Sequence, residues 1–119
     1  MLSQVEKLII ISELIAYLRN ETDTTGLGAA LAAYLEQGDI LALEGELGMG
    51  KTALARGLIH RLCGSETLVT SPTFTLVQIY DAPSFPIWHC DLYRIETEDD
   101  TIEIGIDEAF STAVTLIEW

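Results

Sequence analysis

The sequence predicts an α/β fold, with a central, mostly parallel sheet flanked by helices. Three observations predict it. An apolar run of strand length, Gly38-Asp39-Ile40-Leu41-Ala42-Leu43-Glu44, leads straight into a glycine-rich turn. A segment with apolar residues at helical spacing (Leu54, Leu58, Ile59, Leu62) follows that turn. Two later apolar runs of strand length, Ile87–Asp91 and Ala113–Glu118, each end on an acid.

The bulk numbers set the frame. A chain of 119 residues suggests one domain. With 49% of its residues hydrophobic, its composition is globular rather than disordered. Residues 1–12 read as an N-terminal extension and residues 13–119 as the domain. Net charge is −13, so the chain repels a phosphate backbone and is not expected to bind nucleic acid unaided. The acidity reads as a solvated surface, or alternatively as a face for a basic partner. Cys63 and Cys90 lie in separate apolar runs without metal-ligand spacing, which predicts buried thiols and a reducing, cytoplasmic setting. No apolar stretch is long enough to span a membrane, and the first residues lack the basic start of a signal peptide.

Along the chain, the first twenty residues admit two readings. Val5, Leu8, Ile9, Ser12 and Ile15 fit a helical stripe, whereas Leu8–Ile11 and Leu14–Leu18 fit strands. A helix is predicted from about Thr24 to Glu36, with Leu27, Leu31, Tyr34 and Leu35 on one face and Gly38 as its C′ glycine. The buried strand comes next, then the glycine turn, then a helix over Thr52–Leu62 that Gly64 ends. Pro72 makes Ser71-Pro72-Thr73-Phe74 a rigid loop exposing two hydroxyls. Thr75–Tyr80 is a predicted strand, Asp81–Pro86 a turn, and Ile87–Asp91 a second strand. Thr97-Glu98-Asp99-Asp100 resembles a helix start, with acids facing the positive end of the dipole.

The glycine turn carries the chemistry. Gly45-Glu46-Leu47-Gly48-Met49-Gly50-Lys51-Thr52 matches G-x-x-x-x-G-K-[ST] in full. Its glycines let the backbone approach phosphate oxygens, successive N–H groups cradle the anion, Lys51 adds a mobile positive charge, and Thr52 offers a hydroxyl to Mg²⁺. Strand, loop and helix in that order put phosphates on a helix N-terminus. Mg²⁺ then needs one or two carboxylates, which open α/β sheets supply from the carboxyl ends of strands beside the loop. Asp91 and Glu118 stand at such ends. Thr73 is a candidate switch hydroxyl for Mg²⁺ or the γ-phosphate. His89 shares a strand face with Asp91 and either orients a water or packs in the core. Arg94 is a candidate partner of Asp91 or phosphate, and Arg56 reads as a surface residue. Trp88 and Trp119 read as core residues, with Trp119 alternatively walling the nucleotide site.

Four motifs in order resemble the TsaE (YjeE) family, the P-loop ATPases of tRNA threonylcarbamoyladenosine (t6A) synthesis. They are the phosphate loop, Ser71-Pro72-Thr73-Phe74, His89-Cys90-Asp91-Leu92-Tyr93-Arg94, and Ile117-Glu118-Trp119. The resemblance runs from about Thr24 to Trp119 and implies a P-loop NTPase fold with slow, Mg²⁺-dependent ATP hydrolysis. It implies partnership with the TsaB–TsaD pair. It also implies that loop residues hold the ATP phosphates, that Thr52 and Glu118 hold Mg²⁺, that Asp91 is needed for hydrolysis, and that Thr24, before the first helix, lies near the nucleotide. The family pattern continues beyond Glu-Trp with further strands, so against it this chain reads as C-terminally truncated. Two alternatives share the fold: a small-molecule kinase, which the scattered basic residues do not equip with an acceptor site, and a nucleotide-sensing module that does not hydrolyse.

Overall fold

A computed structural model of the chain describes residues 13, 15–45, 50–72, 76–92 and 105–119. Helix α1 spans Glu21–Ala32. The Asn20 side chain caps it by accepting from the Asp23 N–H at 2.8 Å, and Glu21 and Asp23 face the positive end of its dipole. The helix therefore begins three residues before Thr24, because Asn20 is the residue that satisfies its free N–H groups. It also ends before Glu36. The N–H groups of Ala33, Tyr34 and Leu35 turn to carbonyls three residues back, which tightens the last turn. Gly38 is thus not the helix cap. Its left-handed backbone turns the chain into the sheet, and its N–H donates to the Ala113 carbonyl at 2.9 Å. Residues 15–19 are neither helix nor strand, so the strand reading does not hold over residues 15–18, nor the helical one at Ile15. Residues 1–12 and the helix start expected at Thr97–Asp100 lie outside the described residues.

Strand β1 is Ile40–Leu43 and helix α2 is Lys51–Cys63, ended by Gly64 as the sequence predicts. Strands β2 (Val77–Asp81) and β3 (Pro86–Asp91) form a hairpin, closed by the Ala82 N–H donating to the Phe85 carbonyl at 3.2 Å. Helix α3, Ile106–Thr112, has only seven residues and begins at the left-handed Gly105; no periodicity in the sequence announces it. Strand β4 is Val114–Glu118.

The sheet order is β1-β4-β3-β2, parallel between β1, β4 and β3 and antiparallel at β2. All of β4 is buried, as expected for a central parallel strand with both faces covered. On one face Ile87, Val114, Leu116 and Leu43 pack with Ala55, Leu58 and Ile59 of α2 and Ala32 of α1. On the other, Cys90 and Ile117 pack with Ile106 of α3, and Trp88 lies against them, half-buried. Cys63 and Cys90 are free thiols; burial pushes the Cys90 thiol up to about 12.

Helices α1 and α2 cross at two glycines, each against the backbone of the other helix. A Cβ on Gly28 would lie 2.1 Å from the Leu54 carbonyl oxygen, and one on Gly57 2.0 Å from that of Thr25. This backbone contact brings the start of α1 alongside Gly50 at the start of α2.

Candidate functional site

The register aligns three strand ends in a row. Glu118 of β4 pairs with Leu43 of β1 on one side and with Asp91 of β3 on the other. The period-two alternation of side chains places Ile87, His89 and Asp91 on the α2 face of β3, with Val114, Leu116 and Glu118 beside them on β4. Beyond Leu43 the chain is clamped to the end of β4: the Trp119 N–H donates to the Leu43 carbonyl at 3.0 Å, and the Gly45 N–H donates to the Trp119 carbonyl at 3.2 Å. The loop thus leaves the sheet at the point where β4 delivers its acid.

Gly50 begins α2 with φ 93°, a left-handed conformation that costs glycine little, and a Cβ there would come within 3.5 Å of the Thr24 methyl carbon. Thr24 lies inside the first turn of α1 rather than before it, with its hydroxyl on the Asn20 carbonyl. The N-terminus of α2 carries no acid in its first turn, so its positive end stays uncompensated within the helix.

Lys51 and Thr52 open α2. The Lys51 Nζ donates to the Gly45 carbonyl and, at 3.4 Å, to that of Trp119. The Thr52 hydroxyl donates to Glu118, 3.0 Å from Oε1 and 3.2 Å from Oε2. Glu118 is also bonded through Oε2 to Nε2 of His89, which is 0% exposed. Burial works against the Glu118 charge. The hydrogen bond and attraction of His89, the Thr52 hydroxyl and the Lys51 ammonium together outweigh it and hold the carboxyl below the usual range.

Asp91 is buried, with its N–H donating to the Leu76 carbonyl at 2.9 Å. Leu76 has a left-handed backbone (φ 67°), and its own N–H donates to the Pro72 carbonyl at 2.8 Å. A strained residue held from both sides thus anchors the Ser71-Pro72 loop to the end of β3. Trp119 is 52% exposed, so it is not core; its backbone closes the site on β4. Arg56 pairs with Glu21 of α1 at 2.9 Å.

Of the predicted site residues, the fold gathers Gly45, Gly50, Lys51, Thr52, Asp91, Glu118 and Trp119 at one end of the parallel strands, with Thr24 against Gly50. Glu46, Leu47, Gly48, Met49, Thr73 and Arg94 lie outside the described residues. The participant the sequence left open is His89. Its two-residue spacing from Asp91 was the available signal, and its partner is Glu118 rather than Asp91. The site's oxygen donors, a hydroxyl and a carboxylate 3.0 Å apart, are the hard ligands that Mg²⁺ prefers.

A mostly parallel sheet with a glycine loop leading from its strand ends into a helix N-terminus defines a P-loop α/β protein. Residues 18–119 match the family model described as threonylcarbamoyl adenosine biosynthesis protein TsaE. The chain belongs to the TsaE family. It is 45% identical over 102 residues to the tRNA threonylcarbamoyladenosine biosynthesis protein TsaE of Rickettsia bellii, covering 86% of this chain and 71% of that one. Its likeness to the Bacillus subtilis protein of the same description is 40% over 101 residues, 84% of this chain and 62% of the relative. Among solved structures it resembles B. subtilis YdiB, with a TM-score of 0.67 and 33% identity over 85% of this chain and 60% of YdiB.

Proposed function

We propose that this chain is the Mg²⁺-dependent ATPase of tRNA t6A synthesis, acting in the cytoplasm with the TsaB–TsaD pair. Family membership supports the pathway and, through it, the partners. The observation that carries the ATPase reading is the meeting of Thr52 and Glu118 at 3.0 Å, beside Lys51 at the start of α2.

The roles follow from chemistry. The N-terminus of α2 directs N–H groups and a partial positive charge at the phosphates. Lys51, on its flexible stem, leaves the Gly45 and Trp119 carbonyls for phosphate oxygens, which compete for it with a full negative charge. Thr52 and Glu118 would hold the metal, which would supply positive charge to neutralise that of the outer phosphates. Asp91, at the next strand end, orients the attacking water and accepts its proton. Thr73 and the Glu46–Met49 stretch contact the phosphates, and Thr24 and Trp119 border the nucleotide. With a net charge of −13, the chain leaves tRNA contacts to its partners.

The test is ATP turnover measured alone and with TsaB–TsaD. Slow hydrolysis alone, raised by the partners and dependent on Mg²⁺, is expected. Tight ATP binding with no turnover under either condition would make the chain a nucleotide sensor instead.

A further inference from the structure

His89 is a ring on an aliphatic sheet face. It stands between Ile87 and Asp91 on β3 and opposite Leu116 on β4, and it is fully buried. Its Nε2 is bonded to Oε2 of Glu118, while its Nδ1 has no hydrogen-bond partner among the described residues. A leucine or valine at this position would pack the face without burying a ring nitrogen unpaired. Packing therefore does not account for a histidine here, and the bond to Glu118 does.

We propose that His89 is a positioning residue that fixes the Glu118 carboxylate, so that Oε1 is the oxygen turned to Thr52 and to the metal of a bound nucleotide. The inference rests on the reading of Thr52 and Glu118 as metal ligands. The terminal torsion of a glutamate is broad and nearly two-fold, so a carboxylate held at one point still swings. Glu118 is held at two. His89 donates to Oε2, and the Thr52 hydroxyl stands closer to Oε1 (3.0 Å) than to Oε2 (3.2 Å). Both oxygens lie within reach of the Thr52 hydroxyl, but Oε2 also carries the imidazole bond, which leaves Oε1 the less engaged oxygen at the start of α2. Hydrogen bonds to the far side of a metal-binding carboxylate orient it, and losing one typically weakens the metal about 10–100-fold. His89 is set in the fully buried end of β3, so the position it imposes is as rigid as the core.

The test compares His89→Leu, which fills the space without a donor, with His89→Gln, whose amide can donate in place of the ring N–H. A fluorescent adenine nucleotide is titrated against each, over a range of Mg²⁺ and in EDTA, beside thermal melts. His89→Leu should raise the Mg²⁺ needed for half-maximal binding about 10–100-fold. It should leave affinity in EDTA unchanged, and His89→Gln should restore much of the Mg²⁺ response. The inference is overturned if His89→Leu melts cooperatively and keeps the wild-type Mg²⁺ requirement. Equal shifts in both variants, equal losses with and without Mg²⁺, or failure of both variants to fold would also overturn it, since each marks His89 as packing alone. Wild-type protein that binds no nucleotide would fail the reading of the site itself, a result visible before any variant is made.

Discussion

Gly57 and Thr25 are in backbone contact: a Cβ added to Gly57 would stand 2.0 Å from the Thr25 carbonyl oxygen. The obstacle is backbone on both helices, so no side-chain rotation relieves it. Gly57→Ala should destabilise the fold by about 1–3 kcal/mol through overpacking, and should move Thr24 away from Gly50 as α1 is pushed off. Gly26 is the control. It lies exposed in α1, and a Cβ added there would meet nothing within 4 Å, so Gly26→Ala should stabilise by about 0.4–1 kcal/mol. Chemical denaturation of both variants checks the signs; a Gly57→Ala protein as stable as wild type would refute the tight crossing.

Cys90 should be silent toward thiol reagents in the folded protein. Burial removes it from reagent and pushes its thiol up to about 12, so almost no thiolate exists at neutral pH. Cys63 is raised as well, first by burial and then by the Asp81 charge, but it is only partly buried. Alkylation at pH 8 read by mass spectrometry should mark Cys63 first, and Cys90 only when denaturant unfolds the chain. The sign for stability follows from linkage. The folded state keeps the Cys90 proton while the unfolded state releases it near 8.5, so this contribution is full below about pH 8.5 and declines as pH rises toward 12.

Much of this was legible because local patterns carried it. The phosphate loop has a fixed spacing, and the runs ending at Asp91 and Glu118 have strand length, so their convergence followed once the strands were parallel neighbours. The helix limits were not legible, because the Asn20 side-chain bond to the Asp23 N–H sets the start, and at the other end Gly38 is drawn away to the sheet by its tertiary bond to Ala113. Helix α3 was hidden by its length: seven residues offer too few turns for a period to show. The His89–Glu118 bond joins residues 29 positions apart, and no local spacing encodes a diagonal contact between two strands.

Lys51→Ala should weaken nucleotide binding and abolish detectable hydrolysis. A charge-assisted hydrogen bond contributes about 1.5–3 kcal/mol, or about 10- to 150-fold in affinity. Because Lys51 also bonds the Gly45 and Trp119 carbonyls, a small loss of thermal stability should accompany the loss of binding. Isothermal titration and a melt separate the two effects. Unchanged affinity and turnover in a folded variant would remove the phosphate-loop reading.

The isolated protein should show negligible affinity for tRNA at physiological salt. Six basic residues against nineteen acidic ones cannot displace the counterions of a nucleic-acid backbone. Filter binding or anisotropy across a salt series is the measurement; tight binding that falls steeply with salt would contradict the expectation.

Asp91 and Glu118 are register partners at adjacent strand ends, yet they should fail differently. Glu118 is committed to Thr52 and His89, and its carboxyl is held below the ordinary range, so it stays charged where a cation would need it. Asp91 reaches the site from β3, the neighbour of β4 on the side away from β1, and its backbone is tied to the Leu76 turn that follows the Ser71-Pro72 loop. Asp91→Asn preserves shape and removes a proton acceptor. Turnover should fall about 10²–10⁴-fold, the usual share of a general base, while Mg²⁺-dependent nucleotide binding persists. Glu118→Gln removes the charge between Thr52 and His89, so the Mg²⁺ dependence of binding itself should weaken. Titrating nucleotide with Mg²⁺ and with EDTA, beside turnover, reads both effects. If Asp91→Asn loses Mg²⁺-dependent binding while Glu118→Gln keeps it, the two acids have exchanged roles. If neither variant changes binding or turnover, the row of strand ends at Leu43, Glu118 and Asp91 is not the site of the chemistry.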